Sequence, residues 1–398
     1  MTKTENLNIR RYDLDWLRII AILLVLLFHV GMFFVQWEWH IKNNETSPVF
    51  GYVMSWLHYW RMPLLLFISG AGTMFASAKR TKSQFVLERS KRLLIPLIFT
   101  MIVIVPPQIY FERINDYSSY LSFYPTVFKF IPYPMGGSFS WHHMWFVLYL
   151  FLFSLIAIPL ISYLRQDKSF KFITELERYF SLKWGFLSFV VLILISQAIL
   201  LPFFPDETHS LIDDWAYFTF CLSFFIAGIV VASSDKLWKI LLQKRRNHLL
   251  IALTSLALLE FLFAIDWNLI QPYLTVDLEI IWEINSAIIA WSWVITVVGY
   301  GQKYLNKNSK ILKYSNEGIY PFYILHQTII IMIAYPMIDW GEGIIVKFLL
   351  LTLLSFIATV GIYVLFVRPF NITRFLFGMK PKLKVEKQVQ VAVSKYVA

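Results

Sequence analysis

Long apolar runs, each about the length of one bilayer-crossing helix, alternate along the chain with short polar stretches. About 20 predominantly apolar residues in helical form cover the roughly 30 Å hydrocarbon core. This pattern predicts ten spans, over 17–35, 50–75, 93–111, 143–163, 185–204, 215–232, 249–265, 278–300, 317–338 and 344–366. No interval between them is long enough for a soluble catalytic domain, so any chemistry must use the spans themselves. The expected fold class is all-α, a polytopic membrane protein. It is organised as an N-terminal segment 1–16, a transmembrane domain 17–366 and a basic tail 367–398.

The polar stretches are asymmetric. The N-terminus, 76–92, 164–184, 233–248, 301–316 and the tail together hold 30 of the 36 Lys and Arg. The positive-inside rule then places both termini in the cytoplasm, in a cell inner membrane. The tail 379–398 is expected to touch anionic lipid. The first run is followed by Gln36-Trp37-Glu38-Trp39 and no small-residue cleavage site, so it is expected to be retained as a helix. On the opposite side, 112–142 is aromatic and proline-containing. It is expected to lie in the interface or to fold back over a cavity.

Composition sharpens this picture. The chain is 58% hydrophobic and 15% charged, which excludes an ordinary soluble domain. Its net charge of +11 is accounted for by topology, and no nucleic-acid partner is expected. The single cysteine, Cys221, excludes a disulfide framework and a cysteine metal cluster.

Ionisable groups in hydrocarbon cost about 2.5–3.5 kcal/mol each at a helix centre on insertion scales. The positions that keep them are therefore candidates for function. Arg18 and His29 are 11 residues apart, close to three full turns, so they share one face of the first helix. Arg18 is either an interfacial cation paired with Asp13 or Asp15, or part of a site. In the second span His58 and Arg61 are i, i+3 neighbours, and Ser69 shares the face of His58. Glu260, Glu279 and Glu283 are the expected partners of Arg61, as an ion pair or across a ligand. His142 and His143 open the fourth span and point about 100° apart, so they cannot share one metal from a regular helix, and no metal site is expected. In the ninth span Tyr323 shares a face with His326 and Gln327, and Pro321 is expected near the helix start. Here a packing role and a functional one are equally open. Together these residues predict a polar cavity through the bundle, suited to an intramembrane transferase or to a proton-coupled transporter of an anionic solute or polysaccharide. A structural subunit is the least favoured reading.

Several stretches resemble the membrane-bound acyltransferase-3 family. They are Arg18 and His29 on the first helix, "RMPLLLFISGAG" ending around Ser69-Gly70, "ERSKRLLIPL" with Arg89 and Arg92, "HHMWFVLYL" with His143, and "IYPFYILHQ" with Tyr323 and His326. Ala71 stands where an aromatic residue is common in the family. The resemblance implies transfer of an acyl group, acetyl or succinyl, from cytoplasmic acyl-CoA to a hydroxyl of an extracytoplasmic glycan. No bound cofactor is expected. It implies His29 as general base with Arg18 beside it as catalytic residues. Arg61, His58, Ser69, His143, Glu279, Glu283, Tyr323 and His326 are expected at the substrate, and Arg89 and Arg92 at the donor. Imidazole, with an ordinary pKa near 6.5, suits proton transfer from a sugar hydroxyl.

Overall fold

The computed structural model describes residues 10–274 and 277–382. The N-terminal residues to 9 and the tail from 383, including most of the expected lipid-contacting segment, lie outside the described residues. The principal helices among the described residues are α1 (Tyr12–Met32), α2 (Pro48–Ala76), α3 (Lys82–Glu112), α4 (His142–Ile156), α5 (Ile158–Leu164), α6 (Phe170–Ser181), α7 (Phe189–Leu200), α8 (Trp215–Ala232), α9 (Asp235–Ala264), α10 (Leu278–Tyr304), α11 (Lys310–Met337) and α12 (Ile344–Val367). There is no strand among the described residues. The protein is an all-α polytopic membrane protein.

Seven of these helices are long and apolar enough to cross a membrane: α1, α3, α8, α9, α10, α11 and α12. The α4–α5 pair, bent by 49°, makes an eighth if it is one span. The bend falls at Ala157, where Pro159 of α5 removes a backbone donor and crowds the preceding turn. The expected count was ten. The other two expected spans are α2, long but interrupted by His58 and Arg61, and α7, whose 12 residues reach only about 18 Å.

α1 packs against α2, α10, α11 and α12. The apolar stretch of α11 is 78% buried, whereas those of α9 and α12 are 28% buried, so α11 is interior and the other two are peripheral. α11 begins at Lys310, so Pro321 lies inside the helix and not near its start as the pattern suggested. The start of α1 meets the turn after α10: Tyr12 N donates to Asn306 Oδ1 at 3.1 Å and Trp16 Nε1 to Lys307 O at 3.1 Å. This end is called the terminal face below, and the opposite end the far face.

Two contacts hold α2 in place. A Cβ on Gly70 would lie 1.9 Å from Phe225 O of α8, and one on Gly228 of α8 would lie 2.0 Å from Phe67 O of α2. Both helices thus use glycine so that their backbones can touch, the route by which helices associate where lipid and side chain are equally apolar. Ala71, where the family often has an aromatic residue, is fully buried in this contact. At the C-terminus of α2, Arg165 donates to Met74 O at 2.9 Å and to Ser77 O at 2.5 Å, and Arg80 donates to Ala76 O. These arginines satisfy carbonyls that a helix end leaves open and complement its negative dipole end.

On the far face, 112–142 folds back onto α3. Phe123 and Val127 pack with Val105 and Ile109, ringed by tyrosines. Pro106 cannot bond to Ile102 O, and Tyr124 OH takes that carbonyl at 3.1 Å. The segment thereby stays close to the end of α3.

Gly228→Ala is expected to destabilise the protein by about 1–3 kcal/mol through overpacking, despite the helix preference for Ala. Gly361→Ala on α12, where a Cβ meets nothing within 4 Å, should leave stability unchanged or slightly raised. Thermal unfolding of both variants in detergent compares them directly.

Candidate functional site

The centre of the bundle joins α1 to α11 through two imidazoles. His29 Nδ1 lies 2.9 Å from His326 Nε2, and the rings stack 8° from parallel with centroids 5.0 Å apart. His326 is fully buried, and its Nδ1 faces the carbonyl of Tyr323 at 2.5 Å. A carbonyl only accepts, so His326 carries its proton on Nδ1 and a lone pair on Nε2. His29 must then donate from Nδ1. Its Nε2 keeps the lone pair and has no hydrogen-bond partner among the described residues. His29 as a residue is half-buried.

His143 stands beside the pair, its ring edge-on to His326 at 5.5 Å. Its Nε2 donates to Ile324 O at 3.0 Å, and Tyr323 OH donates to its backbone carbonyl. His143 Nδ1 faces Gln108 Nε2 at 3.3 Å. From Gln108 the polar contacts run toward the far face. Gln108 Nε2 donates to Thr328 Oγ1 at 2.6 Å, and Gln327 Nε2 donates to Gln108 Oε1 at 3.1 Å. Gln327 also meets His40 Nε2 at 3.0 Å, and His40 Nδ1 lies 2.9 Å from Glu112 Oε2. Gln108, His40 and Glu112 were not singled out from sequence. His40 lies in the loop after α1, where a histidine reads as an ordinary surface group.

A second group surrounds Arg61, which is 7% exposed. Its guanidinium lies over the Phe28 ring, Cζ 3.3 Å from the centroid, and its Nε and Nη1 are buried without partners. The expected partners are elsewhere. Glu279 and Glu283 are exposed on α10 and Glu260 is only half-buried; none forms an ion pair with Arg61. The two α10 glutamates therefore do not reach the site assigned to them, because the face carrying them looks outward. The carboxylate whose field reaches Arg61 is Glu207, in the loop before α8. His58 Nε2 and His209 Nε2 hold its two oxygens at 3.2 and 3.0 Å. Lost solvation works against the charge of Glu207, yet the two histidines outweigh it and hold the carboxyl well below the usual range. His58 also stacks on Phe28, so one phenylalanine separates it from Arg61. Ser69 is half-buried further along α2.

The third group is at the terminal face. Arg18 Nη1 is 3.5 Å from Asp15 Oδ1, while Asp13 is taken by Arg11 at 2.6 Å. A Cβ on Gly72 would lie 3.8 Å from Arg18 Nη2, and Arg89 Nη2 donates to Thr73 Oγ1 at 2.9 Å. Arg18 and Arg89 thus flank neighbouring residues of α2. Arg92 pairs with Glu88 at 3.4 Å and is half-buried. Arg18 is 35% exposed, consistent with a cation at the edge of the hydrocarbon.

The bundle therefore brings a base-competent histidine onto the same helix as Phe28, whose ring carries an arginine with no ion pair among the described residues, and sets two further arginines near the terminal face. Residues 11–368 match a family model described as an acyltransferase domain. The chain is similar to the glucans biosynthesis protein C of Escherichia coli (strain SMS-3-5 / SECEC), 22% identical over 342 residues, covering 82% of this chain and 84% of the relative. The protein of the same name from Shigella dysenteriae serotype 1 (strain Sd197) matches with the same identity and coverage. No solved structure matches it. With nearly its whole length inside one family domain, on an all-helical membrane bundle, this chain belongs to the acyltransferase-3 family and is an acyltransferase.

Proposed function

We propose that the protein moves an acyl group, acetyl or succinyl, from a cytoplasmic acyl-CoA to a hydroxyl of an extracytoplasmic glycan in the cell inner membrane. The terminal face is cytoplasmic in this reading, as the distribution of Lys and Arg favours. The observation that carries the proposal is the pair of contacts His29 Nδ1–His326 Nε2 and His326 Nδ1–Tyr323 O, from which it follows that His29 Nδ1–H is committed to His326 and Nε2 is left as a base.

The acceptor hydroxyl donates to His29 Nε2, and its oxygen attacks the thioester carbonyl. The proton moves to Nε2 as the carbon–oxygen bond forms. His29, now an imidazolium, stays anchored through Nδ1–H to His326. The carbonyl oxygen takes the negative charge, and the unpartnered Nε–H and Nη1–H of Arg61 are donors suited to it. Arg61 lies on the ring of Phe28, the neighbour of His29 along α1, which supports a common site. Collapse of the intermediate expels the thiolate, which takes the proton back from His29. Tyr323 and His143 keep His326 fixed. Arg18 and Arg89, with Arg92 outside them, offer positive charge to the phosphates of the donor at the terminal face. His58 and Glu207 sit on the acceptor side. The glucan-related name of the relatives supports a glycan acceptor.

The test is acyl transfer by the full chain in proteoliposomes, with labelled acyl-CoA and with envelope glycans read by mass spectrometry. His29→Ala should lower kcat by about 10²–10⁴ while membrane insertion and folding are retained. Full activity in that variant would end the base assignment. His326→Phe removes the acceptor for Nδ1–H and should lower kcat by about 10²-fold or more, with KM changing far less. Arg61→Lys keeps the charge but loses the forked donors, and a loss of about 10²-fold in kcat is expected.

A further inference from the structure

At the far face, His40, Glu112 and His142 come from three separate segments: the loop after α1, the end of α3 and the start of α4. One ligand atom from each lies within 4.8 Å of the others. The His40 and His142 rings lie 10° from parallel with centroids 4.9 Å apart. His142 holds a left-handed backbone, φ 39°, which a non-glycine residue adopts only when its surroundings enforce it. Its Nε2 is buried and has no hydrogen-bond partner among the described residues.

We propose that these three residues form a site for a zinc-class divalent cation. Two imidazoles and one carboxylate are a donor set suited to that class, and three protein ligands leave a fourth position open. The outer contacts match what a metal site requires, since ligand residues are oriented through their remaining polar atoms. His142 Nδ1 lies 2.7 Å from Ser140 Oγ, which leaves Nε2 for the metal. Tyr133 OH donates to Glu112 Oε1 at 2.7 Å, which leaves Oε2. Gln327 holds His40 Nε2, which leaves Nδ1.

In the metal-free protein the His40 Nδ1 proton bridges to Glu112 Oε2. When the cation takes Nδ1, the imidazole changes tautomer through solvent, its one proton leaving Nδ1 and returning at Nε2 with no net release, and the Gln327 amide turns its oxygen toward His40 Nε2–H. Ligand atoms on a tetrahedral zinc are about 3.3 Å apart, so the widest separation in the cluster closes by up to about 1.5 Å and the His40–Glu112 contact opens slightly. Arg113, the nearby cation, is turned away onto Gly137 O and the face of Tyr133. The site ties the loop after α1 and the folded-back segment to α3. It is separate from the His29 base and does not rest on the proposed reaction.

The experiment uses the full chain in detergent, without a polyhistidine tag, stripped with a chelator and titrated with Zn²⁺ by calorimetry and with Co²⁺ by visible absorption. One Zn²⁺ per chain, with the d–d bands of a low-coordinate Co²⁺ complex, is expected. His142→Ala and Glu112→Gln should each weaken binding at least tenfold. Ser140→Ala, which keeps all three ligands, should weaken it by about 10-fold through the lost orientation of His142. Zn²⁺ should raise the melting temperature of the unaltered chain and not that of Glu112→Gln, a measurement that stands if His142→Ala fails to fold. Absence of binding below about 100 µM Zn²⁺, or binding unchanged by Glu112→Gln and Ser140→Ala, overturns the site.

Discussion

One hydrogen bond, from His29 Nδ1 to His326 Nε2, sets the character of this molecule. Within a bilayer a polar group has no water to turn to, so each one must find its partner inside the bundle. The His326 Nδ1–H already donates to the Tyr323 carbonyl, one turn away on the same helix. That commitment leaves a single lone pair for α1 to meet, and it dictates which nitrogen of His29 bears hydrogen. The basic atom of the site is therefore specified by backbone geometry three residues from His326, not by His29 alone.

The same constraint acts with the opposite outcome at Arg61. Its guanidinium lies on the ring of Phe28 and two of its donors find nothing. A charge kept in this state costs stability, and folds retain such groups where a ligand completes them. The close approach of α2 and α8 at Gly70 and Gly228 holds the helix that carries Arg61 against its neighbour.

The two faces of the bundle divide the chemistry. Arginines at the terminal face are shared between structure and ligand: Arg165 and Arg80 close the end of α2, while Arg18 and Arg89 flank it. The far face carries histidines and carboxylates on loops that fold back to the helix ends. Gln108 and Gln327 lie between the far-face cluster and the buried histidines. A chain of polar contacts thus runs from His40 through Gln327 and Gln108 to His143.

The amino-acid sequence determined the helices and their crowding. Apolar run length marks where a chain can cross hydrocarbon, and an 11-residue spacing places Arg18 and His29 on one face, because both are properties of a single helix. It also pointed to His143, Tyr323 and His326. The tertiary structure decided everything that depends on which faces meet. His29 and His326 are 297 residues apart, and nothing in either helix alone says that they pair. Glu279 and Glu283 occupy plausible positions along their helix yet face outward, so Arg61 was left without the partners its depth suggested. His40, Glu112 and His142 are each unremarkable in their own segments. Their convergence is a product of loops folding back on α3, where the non-local contacts among aromatic side chains, not any local pattern, choose the neighbours.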